Sequence, residues 1–141
     1  MYRSRNDSKV TLNTASTTQP TIYIVDPDES STRALADLAK ARKLHVETFN
    51  SAEQFWDALP PVHCGCVVLE VDLPGMSGMM LQERLRNSGV SLPVVMLAGE
   101  ADVAVAVQAM RKGAVDFLQK PFSLSDLAFK VRAALDDRGG P

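Results

Sequence analysis

From Thr21 onward, short apolar runs alternate with longer stretches in which apolar residues recur every three or four positions. The runs are rich in Val, Ile and Leu and have the length of buried strands. The recurring positions are typical of helices that lay one face on a core. The pattern predicts strands at 21–25, 46–49, 66–69, 93–97 and 115–118, each followed by a helix.

Residues that favour helix ends support this division. Ser51, with Gln54 three positions later, has the pattern of a capping box, and Ser77 is a second helix-capping residue. Gly89 and Gly113 stand where a left-handed residue ends a helix. The helices are therefore expected to begin and end between the predicted strands.

Strands joined by helices must run parallel, and a parallel sheet needs helices on both of its faces. The sequence thus predicts an α/β fold: a five-stranded parallel doubly wound sheet, flavodoxin-like with (βα)5 connectivity and strand order 2-1-3-4-5. The folded domain is expected at 21–136. A flexible arm is expected before it, at 1–20, and a tail or linker stub after it, at 137–141.

Composition narrows the classes of function. The 141 residues suffice for one domain, and a hydrophobic content of 45% excludes wholesale disorder. A net charge of −2 gives no overall attraction to nucleic acid or anionic lipid, so neither is expected as a partner of this chain. No apolar run has the length of a membrane-spanning helix, and the polar first twenty residues lack a secretion signal. A cytoplasmic location is therefore expected.

Charged residues follow several predicted strands, on the side where an open α/β sheet forms its functional crevice. Four of them stand there: Asp26, Asp28, Glu70 and Lys120. Carboxylates that converge with a lysine can bind a hard cation and steer a phosphoryl group. The same residue types also form purely structural ion-pair networks, so the pattern alone leaves both readings open.

Three segments at matching separations strengthen the phosphoryl reading: IYIVDPDE, VVLEVDLPGMSG and GAVDFLQKPF. Together they resemble the receiver domain of bacterial two-component response regulators. The resemblance runs from about Thr21 to Leu135. The residues at 75–78, GMSG, are most similar to those of receivers that precede a helix-turn-helix DNA-binding domain.

The resemblance implies a role for each residue at the strand ends. A typical receiver has an acidic pair after its first strand. Asp26 corresponds to the first member and Pro27 to the second, while Asp28 follows one place later, where its side chain is expected to point elsewhere. The phosphate-accepting aspartate corresponds to Glu70. The hydroxyl residue that grips the phosphoryl oxygen corresponds to Ala98.

Other positions keep the residues of the family. Lys120 matches its lysine, and the bond from Lys120 to Pro121 resembles one that is usually cis. Phe117 corresponds to the aromatic residue that moves when such a domain switches. The resemblance therefore implies that the scaffold is retained while the chemistry is altered.

Three departures fall on that chemistry. Glu70 moves its carboxylate outward by one methylene, roughly 1.5 Å, which is enough to cost orders of magnitude in rate. Pro27 lacks a carboxylate for Mg²⁺, and Ala98 has no hydroxyl. We expect a pseudo-receiver locked in one state that acts by protein–protein contact and is not an enzyme. No cofactor is expected, apart from weak Mg²⁺ binding at Asp26 and Glu70.

Alternative readings stay open. A conventional Mg²⁺-dependent phosphoacceptor would tolerate Glu70 or use Asp72, which is otherwise a solvated loop carboxylate or one whose backbone faces the site. The chain would also serve as the receiver part of a helix-turn-helix transcription regulator. His63, Cys64 and Cys66 offer metal ligands on one side only, so Cys66 is expected to pack in its strand instead.

The helix predicted at 101–110 is apolar on nearly all sides. Four of its residues can face the sheet: Val103, Ala106, Val107 and Met110. The outer side is expected to be apolar too, through Ala104, Val105 and Ala109. A surface helix of this kind usually has a partner. In receivers this helix, the fifth strand and the last helix form a common dimerisation and output face. The expected partner face, for a homodimer or another protein, comprises Val103, Val105, Ala109 and Met110.

Overall fold

One parallel sheet organises the computed structural model, which describes residues 19–136. Within these residues its strands are β1 (Thr21–Val25), β2 (His45–Phe49), β3 (Gly65–Glu70), β4 (Val94–Ala98) and β5 (Asp116–Gln119). All neighbours pair in parallel, in the order β2-β1-β3-β4-β5. The predicted fold is confirmed. Residues 1–18 of the predicted arm and all of the predicted tail lie outside the described residues.

Each strand is followed by a helix, as predicted. The helices are α1 (Glu29–Arg42), α2 (Ala52–Ala58), α3 (Gly78–Asn87), α4 (Val103–Arg111) and α5 (Leu124–Ala134). A 3₁₀ turn at Glu100–Asp102 occupies the beginning of the helix predicted at 101–110. No helix within residues 19–136 is long and apolar enough to cross a bilayer.

The sheet has a separate hydrophobic core on each face. Successive side chains of a strand point to opposite faces, so β3 sends Val67 and Leu69 to one core and Cys66 and Val68 to the other. All six residues of β3 are buried. Helices α2, α3 and α4 cover the first core, and α1 and α5 cover the second. Burial on both faces explains the continuous apolar runs.

Side-chain caps begin the helices close to the carboxyl ends of the strands. The Ser51 hydroxyl accepts a hydrogen bond from Gln54 N at 3.1 Å, and the Ser77 hydroxyl accepts one from Met80 N at 3.1 Å. Both predicted caps are confirmed. Gly89, with φ of 78°, follows the end of α3, where a left-handed residue was predicted.

Helix α4 is rotated relative to the prediction. Ala109 was expected outside but is fully buried with Ala106, whereas Val107 is 40% exposed and Met110 37%. Val105 packs partly against the core. The small alanines allow the helix to approach the sheet closely, and the larger side chains are left outside. Ala109 therefore does not belong to a surface face.

Gly78 lies where α3 begins, directly above the end of β3. Its amide donates a hydrogen bond to Val71 O at 3.1 Å, and an added Cβ would overlap the carbonyl oxygen of Glu70. Gly99, by contrast, has open space around an added Cβ and an ordinary φ of −71°. A side chain at position 78 would push α3 away from the strand.

We predict that Gly78→Ala lowers the free energy of unfolding by about 1–3 kcal/mol, because the new methyl group must displace backbone. The control variant Gly99→Ala should be neutral or raise stability by up to ~1 kcal/mol, since it restricts only the unfolded chain. Urea titration of both variants measures the difference. Equal stabilities would show that α3 accommodates a methyl group at its first residue.

Cys66 is fully buried in β3, as predicted, and burial raises the pKa of its thiol to about 12. Cys64 is only partly buried. We predict that iodoacetamide at about pH 8.5 labels Cys64 in the native protein and spares Cys66, since alkylation needs an accessible thiolate. Fragment-ion mass spectrometry locates the label. Both thiols should react in denaturant, and native labelling of Cys66 would show that β3 opens readily.

Candidate functional site

The Lys120 ammonium lies among three carboxylates at the carboxyl edge of the sheet. Its Nζ is 2.6 Å from Glu70 Oε1, 2.8 Å from Asp26 Oδ2 and 3.3 Å from Asp28 Oδ2. The Asp26 side chain is 1% exposed and that of Glu70 8%. The four charged residues singled out from the sequence thus form one cluster.

Strand pairing brings these residues together. Val25 pairs with Leu69, so the next residues along β1 and β3, Asp26 and Glu70, stand side by side. Lys120 follows β5, and its amide donates a hydrogen bond to Ala98 O at 2.8 Å. The long lysine side chain is needed because β4 separates β5 from β3.

Backbone amides engage the remaining oxygens of the two buried carboxylates. Asp28 N donates to Asp26 Oδ1 at 2.9 Å, and Asp72 N donates to Glu70 Oε2 at 2.9 Å. Each carboxylate therefore has one oxygen on a loop amide and the other on Lys120. Asp72 contributes its amide to Glu70, and as a residue it is exposed.

Asp28 reaches the cluster, contrary to the expectation that its side chain points elsewhere. Its Oδ2 approaches Lys120 while Oδ1 accepts hydrogen bonds from Ser30 Oγ at 2.8 Å and Ser30 N at 3.0 Å. These bonds from Ser30, and to a smaller degree Lys120, lower the pKa of the Asp28 carboxyl. The displaced acid is thus the N-cap of α1 and a peripheral partner of the lysine.

The electrostatics of the cluster favour a permanently charged lysine. Burial by itself would lower the pKa of Lys120, but the hydrogen bonds and charges of Asp26 and Glu70 outweigh burial and raise the pKa well above its usual value. At neutral pH the ammonium therefore stays charged. It faces three formal negative charges.

The cluster does not fit a Mg²⁺ ion as it is arranged. Magnesium requires oxygen ligands in near-octahedral geometry. Each oxygen of Asp26 and Glu70 lies against Lys120 or a loop amide, and Pro27 adds no ligand. Asp26 Oδ2 is 2.8 Å from the ammonium but is buried and accepts no hydrogen bond. Residues 19–136 contain no group of three His, Cys, Asp or Glu arranged to hold a metal ion. A magnesium ion at Asp26 and Glu70 would compete with the Lys120 ammonium for the same oxygens.

The three other positions singled out by the resemblance lie on β4, on β5 and directly after Lys120. Ala98 is fully buried at the end of β4 and presents no hydroxyl. Phe117 packs partly against the core and pairs in register with Met96. The peptide bond between Lys120 and Pro121 is cis, as predicted.

The possible metal ligands around Cys64 do not form a site. His63 Nδ1 lies 2.9 Å from Pro60 O, and Cys66 is buried in the sheet. In the described part of the chain no His, Cys, Asp or Glu cluster completes a metal centre there. Packing of Cys66, the reading preferred from the sequence, is confirmed.

One contact near the site had no sequence signal. Glu53 of α2 accepts a hydrogen bond from Met76 N at 2.9 Å and so holds the loop that follows Glu70. This bond from the Met76 amide lowers the pKa of the Glu53 carboxyl. The two residues are 23 positions apart. No local pattern links them, and only the packed fold brings them together.

We predict that Lys120→Met lowers the free energy of unfolding by about 3–5 kcal/mol, because it leaves two buried carboxylates without a counter-ion. Lys112→Met removes an exposed pair with Glu83 at 3.4 Å and should cost under about 1 kcal/mol. Chemical denaturation measures both variants. Glu70→Gln should cost less than Lys120→Met, because Asp26 keeps its partner. A loss for Lys120→Met as small as that for Lys112→Met would contradict the cluster's structural role.

Known proteins are similar to this chain in sequence. The response regulator protein TmoT of Ectopseudomonas mendocina is 40% identical over 114 residues, which cover 81% of this chain and 52% of TmoT. The transcriptional regulatory protein FixJ of Bradyrhizobium diazoefficiens is 38% identical over 119 residues, covering 84% and 58%. The chain thus spans about half the length of these relatives.

Solved structures agree. The response regulator StyR superposes with a TM-score of 0.79 at 35% identity, covering 86% of this chain and 62% of that one. Full-length FixJ from B. japonicum gives 0.78 at 37% identity, covering 85% and 59%. The family model for the response regulator receiver domain matches residues 22–132. The chain therefore belongs to the response regulator receiver domain family of two-component signalling.

Proposed function

We propose that this chain is a pseudo-receiver that takes part in cytoplasmic two-component-type signalling through protein–protein contacts and without phosphorylation. The observation that carries the proposal is the 2.6 Å contact between Glu70 Oε1 and Lys120 Nζ. It occupies the place where the family has its phosphate-accepting aspartate and lysine. The carboxyl group there is already committed to an ion pair.

The surroundings of Glu70 also argue against phosphoryl transfer. An acceptor oxygen must lie in line with the donor phosphorus, and small displacements cost large factors in rate. The second oxygen of Glu70 is held by Asp72 N at 2.9 Å. Ala98 offers no hydroxyl to a transferred group, and Pro27 offers no carboxylate to a metal. Relative to the family, this chain differs at the nucleophile, at a magnesium ligand and at the hydroxyl residue that binds the phosphoryl oxygen.

These features favour a domain that stays in one conformation. In the family, the hydroxyl residue grips the phosphoryl oxygen and couples it to movement of the adjoining loops. Here Lys120 is held by Asp26 and Glu70, and Ala98 has no group with which to respond. A site that interacts equally with a ligand in two conformations cannot shift the equilibrium between them.

The proposed output surface consists of α4, β5 and α5. On α4, Val107 and Met110 are exposed and Val103 is partly exposed, which gives an apolar strip on the surface. Ala109 is excluded because it is buried. A protein partner or a second copy of the chain would cover this strip.

Two other readings have support and separate tests. Relatives such as FixJ are named transcriptional regulatory proteins, and the match to this chain covers only 58% of FixJ, which supports a receiver part of a transcription regulator. A helix-turn-helix domain encoded directly after Pro141 would favour that reading. The family as a whole supports a conventional phosphoacceptor, which the next experiment tests.

Incubation with acetyl phosphate and magnesium, followed by intact-mass measurement, distinguishes the pseudo-receiver from the conventional phosphoacceptor. We predict that the wild type shows no added mass, while Glu70→Asp gains one phosphoryl group at least about 100-fold faster than the detection limit for the wild type, because it withdraws the carboxylate by one methylene. Denatured protein serves as a control for non-specific modification.

A wild type that gains one phosphoryl group would contradict the pseudo-receiver. The acceptor would then be identified with two variants. Loss of modification in Glu70→Gln would assign it to Glu70, and loss in Asp72→Asn would assign it to Asp72. Either result would establish a conventional phosphoacceptor with an unusual site.

A further inference from the structure

Helix α5 presents different chemistry on its two exposed edges. Lys130 lies toward β5, where its Nζ pairs with Asp116 Oδ1 at 2.9 Å. Phe129 and Arg132 lie toward α1 and line a cavity together with Arg42. The Phe129 side chain is 72% exposed, although it is among the largest apolar groups on the surface. The α1-facing edge is therefore an apolar surface that nothing in the described chain covers.

A groove runs between α1 and α5 beside Phe129. It consists of two adjoining cavities of about 250 Å³ each. Apolar side chains form its floor: Leu38, Leu44, Ala128, Val131 and Leu135. A groove of this composition is suited to apolar side chains from outside the chain.

The rim of the groove is positively charged. Arg42 and Arg132 both line it, and neither forms an ion pair with any residue in 19–136. Lys40 and Lys43, near Arg42 at the end of α1, are also exposed. Asp136 is the acidic residue among those that line the groove. Guanidinium groups bind carboxylates through two parallel hydrogen bonds, so the rim is complementary to an acidic partner.

We propose that the groove between α1 and α5 binds an amphipathic helix of a partner protein. The apolar side of that helix fills the groove, and its acidic residues pair with Arg42 and Arg132. The groove residues of α5, with the two residues that follow this helix, run from Ser125 to Asp136, roughly 17 Å at 1.5 Å per residue, which matches about three turns of the partner. Helices recognised in this way offer anchors at i, i+3, i+4 and i+7.

Nucleic acids and membranes fit this surface less well than an acidic amphipathic helix does. Nucleic acid would satisfy the arginines but has no apolar side chains for the floor of the groove. A membrane would cover Phe129 but is flat, whereas the groove is concave. The groove is lined by none of Asp26, Asp28, Glu70 and Lys120, so the proposal does not depend on the phosphorylation state.

A model peptide tests the proposal by fluorescence anisotropy. The probe is a labelled helix of about 12 residues with leucines at helical spacing and glutamates elsewhere. We expect saturable binding to the full chain, and much weaker binding of a matched peptide with lysines in place of the glutamates. Arg132→Glu and Phe129→Ala should each weaken binding at least about tenfold, because charged and aromatic anchors dominate such interfaces.

Two matched variants serve as controls. Arg86→Glu reverses an exposed charge on α3, and Val62→Ala trims a side chain that is 82% exposed, so both should bind as the wild type does. Thermal unfolding checks that each variant is folded. Equal binding of the acidic and basic peptides, or binding that Arg132→Glu and Phe129→Ala leave unchanged, would overturn the proposal. Displacement of the bound peptide by anionic vesicles or by duplex DNA would also overturn it and indicate another class of partner.

Discussion

The carboxyl edge of the sheet depends on the ammonium group of Lys120. It reaches from the end of β5 across to Asp26, which follows β1, and to Glu70, the last residue of β3. Neither β1 nor β3 is a neighbour of β5 in the sheet. Two carboxylates at adjacent strand ends, both nearly closed to solvent, would repel each other without it. Their remaining oxygens are fixed by the amides of the following loops. The loops after β1 and β3 are thus held in place by a cation that β5 supplies.

A buried charge cluster of this kind is not an efficient source of stability. Removing charges from water costs about as much as their attraction returns, and a well-packed apolar group often serves as well. The retention of Lys120 therefore suggests a positional role. The cluster fixes where α1 and the loop before α3 begin, with Asp28 as N-cap and Glu53 holding Met76 from the other side. The surfaces proposed to meet partners are carried by helices that pack on this frame.

Much of the fold and the membership of the charge cluster could be predicted, because both follow from local signals and topology. The apolar runs locate strands such as β3, and parallel strands necessarily bring Asp26 and Glu70 to one edge. The rotation of α4 could not be predicted from apolar character alone, because the small Ala106 and Ala109 face the sheet while the larger Val107 and Met110 stay outside. The contact of Asp28 with Lys120 depends on one rotamer, and the Glu53 contact spans 23 positions. Such features follow from packing, which the pattern of residues does not encode locally.

The ion pairing of Asp26 and Glu70 with Lys120 has a consequence for how such a chain carries information. Under the proposed function there is no covalent mark to add or remove, so the protein has no second state to report. Its output then follows the number of copies in the cell and the competition among their partners. The response time becomes that of synthesis and degradation instead of the lifetime of a phosphoryl bond. The domain would act by binding its partners in proportion to its own concentration, so its level of expression would set the strength of the response.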